Sequence, residues 1–198
     1  MKSIPTFALA MLIATLILAV LPTEAEAKIY EDTLRLHILA NSDSEEDQEI
    51  KLLLRDEILS EFGSELSDFE SLEQARIYTE ELLPEIEEYS EEFLRSLGVD
   101  MPVCATLSVE WYDTREYEDF SLPSGYYNSL RIIIGEGDGK NWWCVMYPPL
   151  CMDIATESAP ADDATLNYTT EELMLIGGGR YNVKFKILEV ISSAFRKK

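Results

Sequence analysis

Apolar and polar positions alternate from Thr33 to Ala40, with Leu34, Leu36 and Ile38 on one face and Arg35, His37 and Leu39 on the other. A period of two predicts a strand there. Asn41-Ser42-Asp43-Ser44 supplies turn and cap chemistry, with Ser44 and Asp47 in cap spacing ahead of the helical set Ile50, Leu53, Leu54, Ile58 and Phe62. Gly63 is the expected end of that helix. A second helix is predicted from the cap Ser71-x-x-Gln74 through Leu82, Ile86, Tyr89, Phe93 and Leu97, with Gly98 as its stop. Pro84 falls inside this pattern, so the helix either kinks there or divides in two. Seven glutamates and no basic residue lie between Glu80 and Glu92, which reads as a solvated face or as a docking stripe for a basic partner.

From Met101 the period returns to two. Val103, Ala105, Leu107, Val109 and Trp111 alternate with Cys104, Thr106, Ser108 and Glu110, the pattern of a half-buried strand. Pro123-Ser124-Gly125 marks a turn before the apolar strand Leu130–Ile134, and Gly135–Lys140 is expected to join that strand to Asn141–Tyr147 as an antiparallel hairpin. Pro148-Pro149 then stops the second strand in a rigid corner. Residues 155–170 have little apolar pattern and are expected to form a mobile loop, while Ile187, Leu188, Ile191, Ala194 and Phe195 recur at helical spacing near the end. The expected architecture is α+β, a mainly antiparallel sheet with packed helices, in a single domain spanning 28–198.

The amino terminus sets the expected compartment. Lys2 precedes an uncharged run from Ser3 to Leu21, then Pro22 and the small-residue site Ala25-Glu26-Ala27, the pattern of a secretory signal over 1–27, with an uncleaved anchor as the alternative. Both readings export the body, and neither inserts it in a membrane. The whole chain carries a formal charge of −22. Such a charge disfavours nucleic acid and anionic lipid and favours a partner with a basic patch, although solubility alone also accounts for it. Cys104, Cys144 and Cys151 all lie in the exported part, where a disulfide persists. The Pro-Pro corner makes Cys144 and Cys151 the first candidate pair; free buried thiols remain the alternative, because geometry decides it.

The candidate chemistry is thin. His37 is the only histidine, no Gly-x-Ser-x-Gly elbow is present, and three scattered cysteines with one histidine make a poor zinc set. Asn41-Ser42-Asp43-Ser44-Glu45 fails as a calcium loop, since Glu46 stands at the turn glycine and Leu52 at the closing glutamate. Gly135-x-Gly137-x-Gly139-Lys140 lacks the first glycine and the Ser/Thr of a phosphate loop, and reads better as a turn. No metal or cofactor is expected. Tyr126, Tyr127, Trp142 and Trp143 are suited to stacking on sugar rings, which keeps an extracytoplasmic glycan-binding protein or carboxylate-dependent hydrolase of the cell wall as the rival reading.

Several segments, taken together and in order, carry a family likeness: Arg35-Leu36-His37-Ile38-Leu39-Ala40-Asn41-Ser42-Asp43-Ser44 with Asp47-Gln48 and Arg55-Asp56, Pro123-Ser124-Gly125, Arg131-Ile132-Ile133-Ile134-Gly135-Glu136-Gly137, and Asn141-Trp142-Trp143-Cys144 through Pro148-Pro149-Leu150-Cys151. From about residue 33 to 151 the chain resembles the stage II sporulation protein R family. The resemblance implies a secreted signalling protein of endospore formation, not an enzyme, exported into the space between the forespore and mother-cell membranes. Its implied partner is a membrane-embedded aspartic protease that processes the sigma-E precursor. The family supplies no catalytic site, so the candidate partner-binding residues come from this sequence. They form two patches, Arg35, His37, Asn41, Asp43, Asp47 and Gln48 in one, and Tyr127, Asn128, Arg131, Asn141, Trp142 and Trp143 in the other. A buried ion pair with a carboxylate is the structural alternative for Arg131.

Overall fold

The computed structural model describes residues 24–148 apart from 67, 118 and 119, together with 7, 9–15, 150, 168, 172, 173 and 176. Among the described residues, the helices α1 (Glu24–Glu31), α2 (Glu45–Leu66) and α3 (Leu72–Ser96) accompany six strands, and residues 7 and 9–15 are helical too. The strands are β1 (Leu34–Leu39), β2 (Val103–Tyr112), β3 (Arg115–Glu116), β4 (Ser121–Leu122), β5 (Gly125–Ile134) and β6 (Asn141–Tyr147). The chain is α+β. It divides into two compact units, one of Ile29–Glu110 with Tyr126–Thr169, the other of Met1–Lys28, Trp111–Gly125 and Thr170–Lys198. The second contains the two-stranded sheet in which Arg115 pairs with Leu122 and Glu116 with Ser121. No helix among the described residues is long and apolar enough to cross a membrane. The loop expected over 155–170 lies outside the described residues except for Tyr168, which is buried and shares a 2.7 Å hydrogen bond with Thr33 Oγ1. The terminal helix expected around Ile187–Phe195 and the Cys151 side of the expected disulfide also lie outside them.

The four-stranded sheet has the order β2-β5-β1-β6, with β1 parallel to β5 and antiparallel to β6. This corrects the expected hairpin. β5 and β6 are not neighbours, because the strand from the start of the chain occupies the slot between them. The Gly135–Lys140 connection instead passes over the end of β1, where Gly139 N donates to Ala40 O at 2.9 Å and Asp138 N to Asn41 O at 3.1 Å. β1 thus has a parallel neighbour on one edge and an antiparallel one on the other, and Leu34, Leu36 and Ile38 on one of its faces are all 0% exposed.

The helices also depart from expectation in part. Ser44 does cap α2, accepting from Asp47 N at 3.1 Å, but the helix runs through Gly63 to Leu66. Gly63, Phe62 and Leu66 are buried, and that packing outweighs the roughly 1 kcal/mol by which glycine disfavours a helix interior. Helix α3 is one helix of 25 residues with Pro84 inside it. It ends as expected at Gly98, which takes a positive φ of 82° while Val99 N reaches Leu94 O at 3.0 Å. The edge-to-face rings of Phe62 and Tyr89, with centroids 5.4 Å apart, join α2 to α3, and Tyr89 donates its hydroxyl to Glu57.

Candidate functional site

Register decides which side chains meet. His37 lies opposite Arg131 on β5 and Trp143 on β6, while Ile38, one residue on, lies opposite Ile132 and Trp142. Successive side chains point to opposite faces of a sheet. His37, Arg131 and Trp143 therefore share one face, and Trp142 looks the other way, under the Arg55 guanidinium of α2 at 5.0 Å. The helices cover the Trp142 face.

On the His37 face a polar and aromatic cluster forms. The imidazole has Nδ1 at 2.9 Å from Glu110 Oε2 and Nε2 at 2.7 Å from Asn141 Oδ1, and it stacks on Trp143 with centroids 5.6 Å apart and planes 23° off parallel. Arg131 Nη1 is 3.6 Å from the other Glu110 oxygen, and its side chain is 37% exposed. Burial pushes the Glu110 carboxyl up, but the bonds from His37 and Ser129 and the charge of Arg131 outweigh it and hold the group below the usual range. This pair is the expected alternative for Arg131, at a partly exposed position. The cluster joins His37 of the first expected patch to Arg131, Asn141 and Trp143 of the second. Asn128, opposite Leu34, is half-buried at the other end of β5.

Asn41, Asp43, Asp47 and Gln48 form a different assembly, the junction between the β1 exit, the start of α2 and the Gly135–Lys140 crossing. Asn41 Nδ2 donates to Asp47 Oδ2 at 2.9 Å and its Oδ1 accepts from Glu136 N at 3.1 Å; Asp43 Oδ1 accepts from Lys140 N at 2.8 Å. Ser42 Oγ also donates to Asp47, and Gln48 Nε2 donates to Ser42 O at 2.8 Å. The Ser42 and Asn41 bonds hold the Asp47 carboxyl below its ordinary value against the opposing effect of burial. Lys51, only 4% exposed, donates to Gln48 Oε1 and Lys140 O, and its burial pulls the amine down. Glycine is required in the crossing. Gly135 has φ of 58°, and a Cβ on Gly139 would collide with the Ser42 carbonyl.

Arg35 and Tyr127 take interior places. Both are 0% exposed, with the guanidinium 5.0 Å over the Tyr127 ring and Tyr30 edge-on to that ring at 5.1 Å. These two residues, expected in the binding patches, are thus fully buried in this structure. Glu110 was not singled out from sequence, although its position on the polar side of β2 was readable. Cys144 is disulfide-bonded and Cys104 is a free, exposed thiol.

The model of the family described as stage II sporulation protein R matches residues 30–157, a span that includes every residue of the cluster and the junction. The chain belongs to the stage II sporulation protein R family. It is 37% identical over 123 residues to stage II sporulation protein R of Bacillus subtilis (strain 168), covering 62% of this chain and 55% of that protein. The chain thus spans about half the length of the curated relative it matches. No solved structure matches it significantly. Within the matched span the described fold holds two assemblies, the strand-to-helix junction and the sheet-face cluster.

Proposed function

We propose that this chain is an exported intercompartmental signal of endospore formation, acting between the forespore and mother-cell membranes. There it activates a membrane-embedded aspartic protease, which then processes the sigma-E precursor. The observation that carries this reading is the family match, which runs through both strands and turns that hold the cluster. The geometry supports recognition: both ring nitrogens of His37 are engaged, by Glu110 and Asn141, which fixes the imidazole in the cluster. The tryptophans that favoured a glycan platform each have a ring contact of their own, Trp142 with Arg55 and Trp143 with His37.

Activation by a ligand requires different affinities for two receptor states. The signal binds the active arrangement of the protease more tightly and shifts its population by that difference; equal binding to both states changes nothing. A preformed cluster, in which Glu110 fixes His37 and Arg131, lowers the ordering cost of such a contact.

The test is precursor processing in a heterologous cell that makes the protease, with this chain exported, retained in the cytoplasm by deletion of residues 2–27, or absent. Processing with the exported form alone is the expected result. Equal processing in all three, or none with export verified, would remove the signalling role and turn attention to binding of purified peptidoglycan.

A further inference from the structure

β2 is an edge strand, and an uncovered edge is a template for another strand. Its outward amides are treated unequally. Val103 N donates to Glu91 Oε1 at 3.2 Å and Ala105 N to Glu87 Oε1 at 2.8 Å, so two carboxylates of α3 cap the first half of the edge. The repeat that makes this possible is geometric. Four helical residues advance about 6 Å and two strand residues about 6.7 Å, so side chains four apart on a helix match successive outward amides two apart on a strand. The next residues of the same four-residue series, Leu83 and Thr79, are not carboxylates, so the capping stops at Ala105. Among the described residues nothing caps the outward N–H of Leu107 or Val109. Val109 is 64% exposed, high for a strand valine, and its neighbour Ser108 is exposed too.

We infer that the Leu107–Val109 edge of β2 is a docking site for an extended basic peptide segment of the protein partner, which adds to the sheet as a fifth strand. Main-chain hydrogen bonds supply the affinity of strand addition and alternate side chains the selectivity. Charge selects the occupant. The adjoining helix exposes Glu80, Glu81, Glu85, Glu88 and Glu92, with no basic residue from 80 to 92. A second copy of a chain with net charge −22 would bring the same acidic helix to the edge and be repelled, whereas a lysine- or arginine-bearing strand would be attracted. The capped half marks where the added strand must stop, since Glu87 and Glu91 occupy the acceptor places at Ala105 and Val103. As a statement about the receptor contact this rests on the proposed signalling role; as a statement about the edge it does not.

Two readouts keep those apart. In the first, amide exchange of the purified protein is followed by NMR with an alternating Lys-Val heptapeptide as probe, against an alternating Glu-Val control. Exchange at Leu107 and Val109 is expected to slow by about tenfold or more with the basic peptide only. Unchanged exchange at both amides would overturn the edge site, and protection that appears with protein concentration alone would overturn the peptide as occupant in favour of a second copy. In the second, Leu107→Pro and Val109→Pro, each removing one outward donor that the sheet itself does not use, are compared with wild type in precursor processing. Loss of processing with the melting temperature held within a few degrees supports the receptor contact. Full processing by both variants removes that contact, whereas failure of the wild type itself removes the signalling role and leaves the exchange result to decide the edge.

Discussion

At the scale of single residues, Asp47 is the side chain on which most converges. It closes the first turn of α2 and accepts from Asn41 and Ser42, so the β1 exit and the helix start share one carboxylate. A carboxyl held below its unfolded value contributes stability that is fully present above about pH 4 and is lost as pH falls through the folded value. Asp47 and Glu110 are both held low, so urea midpoints are expected to fall steeply below about pH 4 in the wild type and less steeply in Asp47→Asn. At neutral pH Asp47→Ala, which orphans two donors, is expected to cost about 1–3 kcal/mol by urea unfolding. Gly139→Ala forces a Cβ onto the Ser42 carbonyl, and since backbone cannot give way as a side chain does, a loss of more than about 1 kcal/mol is expected in the same measurement. The cap was legible from Ser44 and Asp47 spacing alone. The pairing of Glu110 with His37 was not, because two strands so distant in sequence meet only once the register is known.

At the scale of elements, α3 shows how a sequence pattern can carry two messages. Its run of glutamates reads as one acidic face, yet Glu87 and Glu91 turn inward to the β2 edge. Replacing both by alanine is expected to speed exchange at the Val103 and Ala105 amides and to cost about 1–3 kcal/mol per orphaned donor, while Glu87→Gln with Glu91→Gln, which keeps the acceptors, should leave both measurements near wild type. The buried line of α3 also differs from the apolar stripe. Leu97 is 43% exposed, whereas Thr79 and Ser90 are buried because their hydroxyls bond the carbonyls of Ala75 and Ile86 one turn back. Hydropathy alone misses such positions. The strands themselves were legible from their period of two, but their order was not: a glycine-rich connection of suitable length suggested adjacency, and only the burial of β1 on both sides explains why a third strand intervenes.

At the scale of the whole molecule, charge is the term that acts at a distance. Glu85, Glu88 and Glu92 are exposed and free of the capping duty, so their joint replacement by glutamine isolates steering from stability. The association rate with a basic partner is expected to fall severalfold at low salt and to converge with wild type once the ionic strength shortens the screening length to about 8 Å, as read by stopped-flow at two salt concentrations. The sheet order has another consequence, one of timing. β1 is one of the two inner strands and the first made of the four, but its two neighbours lie about a hundred residues further along the chain. At roughly 5–20 residues per second of synthesis, the backbone edges of β1 wait roughly 5–20 s before a strand exists to pair with them. A chain broken off before β5 leaves both edges of β1 unpaired, so the middle of the sheet registers whether synthesis has passed β6.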